Sequence, residues 1–147
     1  VPLHEGTDMD APNPDSGEEW YHTNTQVFGT MDDHNRFAGP DTMAAPWNVP
    51  APGAEPTMDG FVQDYISWLT WEIGRQPTYD EYAQIMQAYT PDQVPVLNGL
   101  AREFGVFDHW YSEVPSQTFM NRSFWTAATC TPLPASCRRA CASMPSE

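Results

Sequence analysis

From residue 58 onward the apolar positions fall into a helical rhythm. Phe61, Val62, Tyr65, Ile66, Leu69 and Ile73 recur at the three-to-four-residue spacing that gathers side chains on one face of a helix. Asp59 is placed to cap the start of that helix. Gly74 is placed to end it, since glycine takes the left-handed conformation at least steric cost. Thr78-Tyr79-Asp80-Glu81 has the Thr-x-x-Glu spacing of a capping box and predicts a second helix, with Tyr82, Ile85, Met86 and Tyr89 on its apolar side. Thr90-Pro91-Asp92-Gln93 predicts a third start, followed by a stripe of Leu97, Leu100, Ala101 and Phe104 and a stop at Gly105. The run Val106 to Tyr111 predicts a short strand, too apolar to be half exposed. A turn around Pro115 leads to a last helical stretch from Thr118 to Trp125. Helix, strand, turn, helix is the order of an α/β fold.

The two ends lack this order. Residues 1–56 carry eight prolines and no sustained period, so they read as a loop-rich segment. Trp20, Tyr21, Val27, Phe28, Phe37 and Trp47 favour an ordered loop of a larger fold over a solvated tail. Residues 57–126 hold the helical and strand part. Residues 127–147 form an irregular Cys- and Arg-containing tail, whose C-x6-C-x3-C spacing (Cys130, Cys137, Cys141) matches no zinc pattern and fixes no disulfide.

Charge sharpens the division. The chain of 147 residues carries a net charge of −14, and all six of its basic residues are Arg. Nineteen of the twenty acids lie in residues 1–113, and the one acid after them is Glu147. So acidic a chain is a poor partner for nucleic acid, whose phosphates need clustered Lys and Arg, and for an anionic membrane surface. No apolar run approaches the roughly 20 residues of a membrane span, so an integral membrane protein is not expected. No basic segment followed by an apolar one opens the chain, so no signal peptide is visible.

The sharpest candidate chemistry lies at Val114-Pro115-Ser116-Gln117-Thr118, between the predicted strand and a helix start. A hydroxyl there sits among the free N–H groups of a helix N-terminus, which favour negative charge. Attack on phosphorus builds such charge. Asn121 and Arg122 follow within one turn and can donate to phosphate oxygens. Thr118 as a plain helix cap is the competing reading. Asp32-Asp33-His34 reads as a solvated loop, because consecutive residues seldom converge on one ion. Asp108 and His109, adjacent on a strand, would point to opposite faces and so serve structure.

The run from Pro95 to Arg122, with its helix ending in Leu100-Ala101, its aromatic segment Val106-Phe107-Asp108, and Val114-Pro115-Ser116-Gln117-Thr118-Phe119-Met120-Asn121-Arg122, resembles the phosphoesterase family. That family contains bacterial phospholipases C and related acid phosphatases, within the alkaline-phosphatase-like superfamily. Met58-Asp59-Gly60-Phe61-Val62 resembles a second family segment, and Asp15 to Glu19 with Asn24-Thr25-Gln26 a third; together they cover about residues 12–126. The resemblance implies part of an alkaline-phosphatase-like α/β/α sandwich, and a phosphate ester or phospholipid substrate. It implies that Thr118 is the hydroxyl transiently phosphorylated while held on a divalent metal. Asn121 would contact the phosphate, and Arg122 would contact it or pack. Glu18 and Glu19 stand where the family places a phosphate-lining His; His22 is the nearest imidazole and hence the substrate-binding candidate. Relatives are exported, which implies a secreted or periplasmic location.

Parts of the family pattern are missing. There is no Glu-Asn pair, and after Thr118 there is neither Asp nor His. The divalent metal of the complete family enzyme is therefore not expected on this chain alone. The expectation is a fragment, weakly active or inactive by itself, whose tail departs from the family after Trp125 as a reading-frame change or altered exon would make it. The alternative is a non-catalytic interaction module, self-associating through Trp68, Trp71 and Tyr82.

Overall fold

A computed structural model describes residues 1–6, 11–29 and 53–128. The Asp32-Asp33-His34 run and the cysteine tail lie outside the described residues. The order of elements is β1 (His4–Glu5), α1 (Trp20–Phe28), α2 (Phe61–Ile73), α3 (Tyr79–Ala83) continued by a 3-10 turn at Gln84–Met86, β2 (Gln87–Ala88), α4 (Pro95–Glu103) and α5 (Thr118–Ala127). The described chain is thus helix-rich with a small parallel sheet, which is compatible with an α/β class. In that sheet His4 faces Gln87 and Glu5 faces Ala88. Gly6 extends the ladder by donating to the Ala88 carbonyl, and its own carbonyl accepts from Gln93 Nε2 at 2.9 Å.

α1 falls in the stretch read as loop. The reason is chemical: much of its inward face is polar. His22, Asn24 and Thr25 are buried beside Trp20, and Thr23 and Thr25 turn their hydroxyls back onto the carbonyls four residues earlier. An apolar-period search is blind to such a helix. Its end is recognisable, with Gly29 at φ 66° donating to the Thr25 carbonyl.

α2 forms where its spacing predicts and ends at Gly74, at φ 69°. Its start differs from expectation. Gly60, not Asp59, is the cap residue, and Asp59 instead takes the Thr57 hydroxyl. The last carbonyls of α1 set this arrangement: Gln26 accepts from Gly60 N–H at 3.1 Å and Val27 from Met58 N–H at 2.8 Å. The chain entering α2 thereby satisfies orphan acceptors at the end of α1. The core sits here, built on Trp20, Tyr65, Leu69 and Ala83.

The capping box of α3 forms as predicted, with Thr78 Oγ1 accepting from Glu81 N–H and Glu81 Oε2 from Thr78 N–H. Arg75 adds a two-pronged pair to the same carboxylate, at 2.6 and 2.9 Å. Those bonds, Arg75 first and then the Thr78 backbone, hold the Glu81 carboxyl down at about 2.

The third predicted start forms only one turn. Gln93 Oε1 accepts from Thr90 N–H as expected, but α4 begins at Pro95. The residue before a proline is pushed out of helical conformation, and Val94 lies at φ −125°, ψ 59°. The predicted strand at residues 106–111 does not form, and that whole segment is exposed. Strand preference reflects packing against neighbouring strands, and the segment has none to pair with among the described residues. Asp108 and His109, freed from strand alternation, bond to each other at 2.7 Å rather than pointing apart.

Candidate functional site

Thr118 is the first residue of α5 and is exposed. Gln117 precedes it in extended conformation and makes no side-chain cap. The first intrahelical bond runs from Asn121 N–H to the Gln117 carbonyl at 3.3 Å, so the N–H groups of residues 118–120 are the orphan donors of this terminus. Thr118 is therefore not the side-chain cap, and its hydroxyl stands beside donors suited to an anion.

The turn before it is held by one side chain. Asn121 Oδ1 accepts from Val114 N–H at 3.1 Å. Its Nδ2 donates to the carbonyls of Val114, Ser116 and Gln117 at 3.1, 2.9 and 3.3 Å. Val114 is fully buried, and Met120 lies buried one turn into the helix. The exposed Arg122 makes no ion pair among the described residues. Thr118, Asn121 and Arg122 are thus brought together on one helix start.

His22 belongs to a separate hydrogen-bond system. It is completely buried, and Nδ1 lies 2.8 Å from Asp64 Oδ1. The other Asp64 oxygen accepts from Gln26 Nε2 at 2.9 Å, and that same nitrogen reaches the Gly17 carbonyl at 3.1 Å. His22 Nε2 is buried without a hydrogen-bond partner among the described residues, 3.9 Å from Glu19 Oε2. The loop bearing Glu18 and Glu19 is gripped from α2: Tyr65 donates to the Pro14 carbonyl at 2.6 Å and Trp68 to that of Asp15 at 3.0 Å. Burial first, and then the nearby Asp15 carboxylate, push the Tyr65 phenol up to about 12. Asp64 escaped the sequence reading, although a lone acid next to Tyr65 on the apolar face of α2 is the signal that marks it.

No group of three or more His, Cys, Asp or Glu side chains converges to hold a metal ion among the described residues. The residues around Thr118 therefore do not fit the divalent metal that the resemblance implies. A cavity of about 180 Å³ lies instead beside the sheet, between Gly6, Pro12, Gln84 and Tyr89, and involves none of the predicted site residues. No helix is long and apolar enough to cross a membrane among the described residues.

Most of the chain is shared with known proteins. It is 29% identical to non-specific phospholipase C6 of Arabidopsis thaliana over 123 residues, which is 84% of this chain and 18% of that protein. It is 31% identical to non-specific phospholipase C3 of the same plant, over 80% of this chain and 18% of the relative. With non-specific phospholipase C1 the identity is 37% over 51% of the chain and 12% of the relative. The chain thus spans under a fifth of the length of these relatives. No solved structure matches it. The model of the Phosphoesterase family matches residues 2–143, from β1 through the turn at Thr118 and on past Trp125 into the tail, and the chain belongs to that family.

Proposed function

We propose that this chain is part of a phosphoric ester hydrolase of phospholipase C or acid phosphatase type, with Thr118 as the attacking hydroxyl. The observation that carries the reading is an exposed threonine hydroxyl at the free N-terminus of α5, inside the longest segment that resembles the family. In the reaction the Thr118 oxygen forms a bond to phosphorus, the ester P–O bond breaks, and the alcohol leaves with a proton. Water then hydrolyses the phospho-threonine. Three orphan N–H groups face the negative charge that builds on phosphorus, and a helix terminus stabilises such charge by up to about 2 kcal/mol. Arg122 has its guanidinium donors available for phosphate oxygens. His22 is completely buried with Nδ1 engaged by Asp64, so this reading gives it no contact with the substrate. An alkaline-phosphatase-like sandwich and export from the cell belong to the same reading. The described residues supply no metal set, so no step is routed through one, and the chain alone is expected to turn over weakly or not at all. With p-nitrophenyl phosphate and added divalent cations, residual hydrolysis is expected to fall to background in Thr118→Ala. Residual hydrolysis unchanged by that substitution would count against Thr118.

A second reading rests on a different observation. Leu97, Leu100, Phe104, Phe107, Trp110 and Trp125 are each more than half exposed, and so is Trp71, which stacks on Trp68 with ring centroids 5.1 Å apart; Trp68 and Tyr82 are half-buried. So large an apolar surface suits association with a second copy. Light scattering is expected to give a mass above 16.5 kDa, and Leu100→Glu with Phe104→Glu is expected to return the monomer mass. A monomer at all concentrations removes this reading.

A further inference from the structure

We infer that Asn121 is a positioning residue for Thr118 and not a phosphate ligand. This rests on the reading of Thr118 as nucleophile. An asparagine amide has two N–H donors and one carbonyl oxygen. Here both donors are spent on the backbone carbonyls of Val114, Ser116 and Gln117, at 2.9 to 3.3 Å, and the oxygen accepts from Val114 N–H. Nothing is left to donate to an anion. A phosphate approaching this amide would meet the carbonyl oxygens gathered around it, an edge that repels negative charge.

The same bonds explain what the side chain is for. Val114 is fully buried, so its N–H and C=O cannot turn to water, and an unmet buried backbone group costs about 1–3 kcal/mol. Asn121 bonds to both of them: it is the acceptor for the N–H, and it joins Ser116 N–H at 2.8 Å and Ser112 Oγ at 3.3 Å as a donor to the C=O. Its grip on the Ser116 and Gln117 carbonyls fixes the two residues that lead into Thr118. It thereby sets the direction in which the orphan N–H groups and the Thr118 hydroxyl point. Holding reacting groups in place before substrate arrives is a source of rate in its own right. On this account Asn121 acts through the backbone, and Arg122 is the side chain of the turn that faces phosphate.

Amide hydrogen exchange on the whole chain, without phosphate, tests this. In Asn121→Asp at neutral pH the carboxylate still accepts from Val114 N–H. It donates nothing, and it sets a charge against three carbonyls. With the three carbonyls no longer gripped the turn opens more often, and protection at Val114, whose N–H keeps its acceptor only while the turn is closed, is expected to fall about 10-fold. Protection at the α1 and α2 amides should be unchanged. Below about pH 4 the Asp gains a proton and one donor, so protection relative to the unfolded chain at the same pH is expected to recover. If Asn121→Asp unfolds the chain, Asn121→Ser, which keeps one donor, is read in the same way with a smaller fall of about 3-fold. Titration with inorganic phosphate, followed by the Arg122 and Thr118 amide shifts, gives the opposing outcome. Undiminished Val114 protection together with a 10-fold or greater loss of phosphate affinity in Asn121→Asp would make Asn121 a ligand and overturn the proposal. Thr118→Ala should leave Val114 exchange as it is, so failure of the nucleophile reading is seen separately, in the hydrolysis assay.

Discussion

Gly60→Ala is expected to lower Tm by roughly 10 °C, from a loss of about 3 kcal/mol at the upper end of overpacking costs. Gly60 lies at φ −85°, ψ −1°, a conformation any residue adopts, so the cost is not backbone strain. It arises from contact. A Cβ at residue 60 would overlap the Thr25 carbonyl oxygen and crowd its carbon at 2.8 Å. Those atoms are helix backbone, and no rotamer change relieves the overlap. α1 and α2 would have to separate, which breaks the Gly60 N–H bond to the Gln26 carbonyl and strains the His22–Asp64 contact. Gly74→Ala is the useful comparison. Among the described residues nothing lies within 4 Å of its missing Cβ, so its cost is that of a left-handed non-glycine residue, roughly 1 kcal/mol. Thermal melts of the two variants measure the difference directly; equal shifts would mean that α1 and α2 do not meet at Gly60.

Asp64→Ala is the second large effect, with an expected loss of about 3 kcal/mol. The wild-type carboxylate joins His22 Nδ1 and Gln26 Nε2 across the α1–α2 interface, and both His22 and Asp64 are essentially inaccessible to water. Removing it leaves the imidazole with neither nitrogen hydrogen-bonded, at the penalty for burying unmet polar atoms. Asp64→Asn keeps an acceptor of the same shape for His22 Nδ1 and is expected to cost less than half as much. Chemical denaturation with a constant m-value distinguishes the two variants. If Asp64→Asn is as damaging as Asp64→Ala, the negative charge rather than the hydrogen bond holds the pair.

These two positions also show where sequence is a good guide and where it is not. α2 and the capping box at Thr78 were legible because their causes are local: a periodic apolar face and a pair of residues three apart. α1 was not, because its buried face is polar: His22 is met by Asp64, 42 residues away, and Thr25 bonds back to the Tyr21 carbonyl. Val94 and Pro95 carried enough information to place the start of α4, had the proline's effect on its predecessor been given more weight than the Thr90 cap. The aromatic run at 106–111 misled for the opposite reason, since a strand needs neighbours that residue types alone do not reveal. At the candidate site, the helix start at Thr118 and its nearness to Asn121 and Arg122 were legible from spacing. What the Asn121 amide bonds to was not, because three carbonyl partners are fixed by the shape of the turn.

The most direct test of the central claim is to map covalent phosphate on the intact chain after acid-quenched incubation with p-nitrophenyl phosphate. A single modified residue is expected, Thr118, at low occupancy and absent from Thr118→Ala. Phosphate on another residue, or occupancy that survives the loss of the Thr118 hydroxyl, would contradict the account.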